Sequence, residues 1–318
     1  MDFALNEEQL ELQEMVREFV EKEITPYAAE MDAENHMRDG LIDKANEMGL
    51  LNVIVPEELD GPGLDSISVA TIYEELGKGC AGVATSLAAN SLATVPVLLA
   101  GTDEQKKMYC DILNNGGLAA FALTEPGAGS DAGGVSTRAV HNKEEGTYTL
   151  NGTKMFITNG GLAEIFLVFA NTRKTGGIRG LTAFIVPKDT PGFSVGKKEN
   201  KMGIRPSNTT ELVLQDVVIP ESYRVGREGE GFRSSIAFSH SSFFGEFHAL
   251  VTHPASLLNH EASSFNLHSH VSQHALNHLE GSNRLAELTA LFSIFNSTIQ
   301  SSLSDTYGNS ANERTSAV

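Results

Sequence analysis

The chain has 318 residues, 41% of them apolar and 20% charged, and carries a formal net charge of -18. That length accommodates two domains and a substantial core, and so acidic a balance excludes a general nucleic-acid or anionic-membrane partner, since a phosphate surface would repel it. An anionic ligand would have to be held by local groups, such as backbone N–H dipoles.

The chain opens Met-Asp-Phe-Ala-Leu-Asn, with neither a basic signal-peptide start nor an Arg-rich amphipathic arm. The expectation is a cytoplasmic protein, or an already processed organellar one. No apolar run approaches a membrane span by this reading. Residues 1–118 form a helical domain. Asn6-Glu-Glu-Gln9 is a capping-box start, and Leu12, Met15, Val16, Phe19, Val20 and Ile24 follow at helical spacing until Pro26 perturbs the run. Residues 41–48, 67–76 and 84–99 repeat the pattern, and Thr102-Asp-Glu-Gln-Lys106 starts another capped helix. The third of these is rich in alanine, which suits a close helix crossing. Cys80 and Cys110, the two cysteines, have no paired or metal-ligand spacing and read as reduced core thiols.

From residue 119 to 232 the period shifts towards two, and the expected fold is an antiparallel β-sandwich or barrel. Strands are expected over 135–140, 148–150, 155–158, 165–170, 181–186 and 211–219. Residues 121–131 read Phe-Ala-Leu-Thr-Glu-Pro-Gly-Ala-Gly-Ser-Asp: a short strand ending in Thr124, then a turn in which Pro126, Gly127 and Gly129 let the backbone approach a ligand. The third glycine of a Rossmann fingerprint is missing. Residues 148–160 then read as a hairpin turning at Asn151-Gly152, whose second strand carries Phe156 and Thr158 on one face. An aromatic plane beside a hydroxyl is what a flavin ring needs. Arg205 is expected to form a surface pair with Glu211 rather than to meet a phosphate.

These two segments resemble the acyl-CoA dehydrogenase family. So do Pro56-Glu-Glu, Tyr73-Glu-Glu-Leu-Gly77, Gly101-Thr-Asp-Glu-Gln-Lys106 and residues 201–212 and 226–232. The resemblance implies an FAD cofactor. Phe121, Leu123, Thr124, Gly129 and Ser130 would lie along its diphosphate, and Phe156, Ile157 and Thr158 would pack on the isoalloxazine, with the Thr158 hydroxyl near N5. It also implies that Ser130 touches an acyl-CoA and that electron-transferring flavoprotein is a partner. The family is usually tetrameric, and the nearest relatives in kind are bacterial short-chain, butyryl-CoA dehydrogenases. The implied reaction removes an α-proton with a carboxylate, stabilises the enolate at the thioester oxygen and passes the β-hydride to the flavin.

The resemblance stops after Phe232. Eight of the ten histidines fall between His240 and His278, serine becomes the commonest residue, and no lysine follows Lys201. Residues 233–318 therefore read as a divergent, partly helical Ser/His-rich tail in place of the family's four-helix catalytic domain. No catalytic base is identified; Glu280-Gly-Ser-Asn283 comes too early and its flanks do not match. His270, His274 and His278 share a helical face without further ligands, and no dedicated metal site is expected. Leu285, Leu288, Phe292, Phe295, Ile299 and Leu303 form an amphipathic stripe. The expected function is that of an acyl-CoA dehydrogenase-like flavoprotein impaired by its missing half. The alternative is a non-catalytic truncated or fused chain that assembles with a full-length relative.

Overall fold

A computed structural model describes residues 5–173 and 176–231. The tail, its histidine spacing and its amphipathic stripe lie outside the described residues.

The helical region comprises α1 (Glu7–Phe19), α2 (Ala28–Glu34), α3 (Leu41–Glu47), α4 (Ser66–Gly79), α5 (Ala81–Ala100) and α6 (Asp103–Asn114). Local chemistry sets their starts. Asn6 and Gln9 close a reciprocal capping box at 2.8 and 3.1 Å, Asp65 caps α4 by accepting from the N–H groups of Ile67 and Ser68, and Thr102 and Gln105 cap α6. The first helix does not run straight to Pro26. After Phe19 it widens into a π turn, Val20–Ile24, then tightens over Thr25–Tyr27 before α2 resumes. The proline removes a donor that a regular helix would need, and the widened turn keeps Val20 and Ile24 in the core.

The helix α5 is the axis of the helical region. Contrary to expectation, its 20 residues are long and apolar enough to cross a bilayer by length and composition. It is instead a core helix, 67% buried over its most apolar window, and its polar residues are used internally. Ser91 bonds the Tyr73 hydroxyl at 2.9 Å, and Asn90 donates to the Leu51 carbonyl at 3.2 Å while accepting from the Ala119 N–H at 2.8 Å. A Cβ at Gly82 would sit 2.9 Å from the Pro206 ring, so the glycine permits the close approach of that loop.

The β-sheet region holds β1 (Ala119–Ala122), β2 (Arg138–Asn142), β3 (Thr147–Thr158), β4 (Ile165–Asn171), β5 (Leu181–Pro187), β6 (Phe193–Lys198), β7 (Thr209–Pro220) and β8 (Arg224–Val225). They form one sheet in the order β6-β7-β3-β2-β4-β5-β8, with β1 also paired to β4. The expected all-antiparallel pairing is corrected: β1 runs parallel to β4, and β2 meets β4 in parallel at Arg138 and Asn171. Phe166, Val168 and Ala170 of β4 face one apolar core, while Ile165, Leu167 and Phe169 face another that includes residues of α5 and α6. Burial on both faces explains why β4 reads as an unbroken apolar run.

Two further expectations are corrected. Asn151-Gly152 is not a hairpin turn; β3 passes through it with a register shift against β7, and the chain reverses instead between Asn142 and Thr147. A Cβ at Gly152 would lie 2.3 Å from the Thr137 hydroxyl, so this glycine admits a neighbouring strand. Asn151 uses its side chain to bond Asp216 across the bulge, at 2.8 and 3.0 Å. Arg205 does not pair with Glu211. Its guanidinium donates to the Asp32 carbonyl, to Asn200 and to the Lys201 carbonyl, tying its loop to the end of α2. Cys110 is buried as expected and Cys80 is only half-buried.

Asn90→Ala should cost about 3 kcal/mol, because it strands a buried N–H and a buried carbonyl. Urea unfolding followed by circular dichroism measures this. A loss below about 0.5 kcal/mol would show that solvent replaces both bonds.

Candidate functional site

Strand β1 delivers the chain to the glycine-rich turn. Glu125 and Ala128 close it with reciprocal backbone bonds of 2.9 and 3.1 Å around Pro126 and Gly127. Neither Gly127 nor Gly129 has a positive φ, and a Cβ on either would meet no other atom of the chain within 4 Å. The turn therefore does not need these glycines for its own geometry. The space over both positions is open. Gly129 and Ser130 are exposed, and Asp131 accepts the Gly133 N–H at 2.9 Å, steadying the exit.

The turn is stitched to β3. The Thr124 carbonyl accepts the Met155 N–H at 2.9 Å, so the end of the first segment lies beside Phe156. Beneath it sits an ion pair that the sequence reading did not find: Lys154 Nζ lies 2.7 Å from Glu125 Oε1, with side chains 0% and 1% exposed. Lys154 also donates to the Leu123 carbonyl at 3.1 Å. The carboxylate of Glu125 accepts from the Ser136 N–H and hydroxyl at 2.7 and 2.6 Å and from the Thr137 N–H at 3.0 Å. Burial alone would raise the Glu125 carboxyl, but the Lys154 charge and these donors outweigh it and hold it at about 2. Burial pulls the Lys154 ammonium down to about 8, against the attraction of Glu125.

Past Lys154 the ladder slips, with a register shift against β7 between Lys154 and Ile157. The shift gives Phe156 a φ of 58° and leaves it 59% exposed. Simple alternation does not hold here: Ile157 is buried in the core and Thr158 is half-buried. An exposed aromatic in the left-handed region is strained by about 1–3 kcal/mol, and such strain is kept where the surroundings over-determine it. Asn159 provides that constraint. Its φ is also positive, at 62°, and its fully buried amide donates to the Ser86 carbonyl of α5 and the Ala119 carbonyl of β1 at 2.8 and 3.3 Å.

The structure thus brings Thr124, the turn to Ser130 and Phe156 to one locality, with Thr158 two residues on. The other expected residues sit differently. Phe121 sets its ring at a tilt against Phe169, 4.8 Å between centroids, and Leu123 packs on the same core, so both face inward. Ile157 is buried in the core, and its carbonyl accepts the Gly160 N–H. The residues missed are Glu125, Lys154 and Asn159. The one available signal was a lysine directly before the apolar Met155-Phe156-Ile157, and it named no partner. Among the described residues no cluster of His, Cys, Asp and Glu has the makings of a metal site.

The turn is thus bonded to a strand that carries an exposed aromatic, Phe156, with the half-buried Thr158 two residues on. Residues 6–116 match the acyl-CoA dehydrogenase N-terminal domain and residues 120–217 the acyl-CoA dehydrogenase middle domain. The chain belongs to the acyl-CoA dehydrogenase family. Its likeness within the family is to bacterial short-chain members. It is 44% identical over 235 residues to an acyl-CoA dehydrogenase of Bacillus subtilis, covering 73% of this chain and 62% of that protein. The solved butyryl-CoA dehydrogenase of Megasphaera elsdenii superposes with a TM-score of 0.73 at 42% identity, covering 78% of this chain and 65% of that one. An acyl-CoA dehydrogenase of Bacillus anthracis solved in complex with FAD gives 0.70 at 34% identity, over 78% and 42%. The chain spans about three-fifths of the length of the Bacillus subtilis relative.

Lys154→Met should destabilise the protein by about 3–5 kcal/mol, whereas Lys154→Met combined with Glu125→Leu should recover most of that loss. Equal losses in the single and double variants would show that packing, and not the unpaired carboxylate, sets the cost. The Glu125 carboxyl is depressed in the native state, so its contribution of about 3 kcal/mol is present above its ordinary 4.5 and disappears as pH falls towards about 2. Unfolding midpoints measured across that window should fall in the wild type, and Glu125→Gln should flatten the dependence.

Proposed function

We propose that these residues are the flavin-facing half of an acyl-CoA dehydrogenase-like site, with FAD as the cofactor and a short-chain acyl-CoA as the substrate. The observation that carries this reading is the hydrogen bond from Met155 to Thr124, which sets the strained, exposed Phe156 beside the glycine turn. Each residue then has a physical task. The backbone from Glu125 to Ser130 would approach the diphosphate, Phe156 would cover one face of the ring, and the Thr158 hydroxyl would hydrogen-bond its polar edge. Ser130, exposed at the end of the turn, would contact the acyl-CoA. When bound, FAD supplies the hydride acceptor for α,β-dehydrogenation.

Short-chain preference rests on similarity to the butyryl-CoA enzyme, and electron-transferring flavoprotein as acceptor rests on the family resemblance. The two family matches end at residue 217, and no general base is assigned to this chain. Losing a general base costs about 10² to 10⁴ in rate, and loss of substrate positioning adds to that. This chain alone is therefore proposed to hold FAD weakly and to turn over negligibly.

Flavin titration followed by fluorescence quenching tests the site. Phe156→Ala and Thr158→Val should each weaken FAD binding about threefold to thirtyfold, corresponding to about 0.7–2 kcal/mol. Unchanged affinity in both variants would remove the site. A purified protein carrying stoichiometric yellow flavin and reducing a dye with butyryl-CoA would overturn the impaired reading.

A further inference from the structure

We infer that Asn208 is a positioning residue for the Thr158 hydroxyl, an inference that rests on the proposed function of that hydroxyl at the flavin edge. Thr158 is the last residue of β3, and its pairing with Thr209 is the final rung of the ladder with β7. A terminal rung frays unless the chain beyond it is held. Thr158 also stands between two residues of positive φ, Phe156 two places before it and Asn159 directly after. Backbone of that kind relaxes unless its surroundings over-determine it.

Asn208 extends the ladder past its end. Its main-chain carbonyl accepts the Asn159 N–H at 2.7 Å, and its side-chain Oδ1 accepts the Gly161 N–H at 2.8 Å, so one residue grips the chain beyond Thr158 at two points. The gripped turn lies tight against its neighbours: a Cβ on Gly160 would stand 2.3 Å from the Thr210 hydroxyl oxygen, and one on Gly161 would stand 2.8 Å from Asn208 Oδ1. Asn208 is anchored on both sides in turn. Before it, Ser86 of α5 donates to the Ser207 hydroxyl at 3.3 Å, Lys201 Nζ donates to the Ser207 carbonyl at 2.6 Å, and Pro206 lies against Gly82 of α5. After it, Thr209 and Thr210 are buried in β7. The helical region therefore fixes the loop, and the loop fixes the hydroxyl. Asn159 holds the same turn through α5 and β1, whereas Asn208 holds it from the side of β7.

A double-mutant cycle read by fluorescence titration with FAD tests this. Asn208→Ala should weaken binding about threefold to tenfold, the worth of one hydrogen bond. The same change on a Thr158→Val background should cost less than about twofold, because the hydroxyl that Asn208 positions is already gone. Asn208→Asp keeps an oxygen in reach of the Gly161 N–H and should stay within about twofold of the wild type. Thermal midpoints are read alongside. Should Asn208→Ala fail to fold, Gly161→Ala breaks the same bond from the other partner, since its Cβ displaces Oδ1. Equal losses with and without the Thr158 hydroxyl would overturn the inference, because a residue that only supports the framework acts alike on both backgrounds. Wild-type affinity in Asn208→Ala would overturn it too, as would a loss in Asn208→Asp as large as in Asn208→Ala. The two readings fail separately. A Thr158→Val protein that binds FAD as the wild type does removes the hydroxyl's proposed task, whereas a loss in Thr158→Val beside a silent Asn208→Ala removes only the positioning role and leaves the flavin reading in place.

Discussion

The buried pair between Glu125 and Lys154 is the constraint on which the rest of the site depends. Two charges removed from water are costly unless their hydrogen-bonding capacity is met, and here it is met almost entirely. The carboxylate takes Lys154, two donors from Ser136 and one from Thr137, while the ammonium also holds the Leu123 carbonyl. An apolar pair could fill the same volume, but it would not fix the orientation of the Leu123 backbone or the register of β3 against the turn. The pair thus acts on geometry more than on net stability.

Once β3 is pinned at Lys154, the residues beyond it can be held in conformations they would not choose. The register shift lifts Phe156 outward and buries Ile157, and Asn159 locks the far end by bonding α5 and β1. Three pieces of distant sequence therefore converge behind a segment of three residues. The apolar helix α5 supports this from within: Ser86 receives the Asn159 amide, and Asn90 ties the start of β1 to the loop at Leu51. Rigid backing is what allows strain at the exposed face to persist.

Electrostatics is settled beneath the turn. Lys154 is neutralised there by Glu125, so the turn itself presents backbone dipoles rather than a free cation.

Much of the framework was legible in the amino-acid sequence. Capping boxes at Asn6 and Thr102, apolar periodicity along the helices and the unbroken run of β4 depend on neighbours within a turn or two, and local chemistry fixed them. The paired motifs around Thr124 and Phe156 likewise identified the family. What only the tertiary structure decided was which of those residues look outward. Asn151-Gly152 has the composition of a hairpin turn, yet continuous pairing with β7 and the proximity of Thr137 carry the strand through it. Glu125 and Lys154 stand 29 residues apart with no spacing rule to join them, and the exposure of Phe156 follows from a bulge created by pairing with β7. Local propensity reaches a few residues along the chain, whereas register and burial are set by partners that meet only when the sheet closes on the helices.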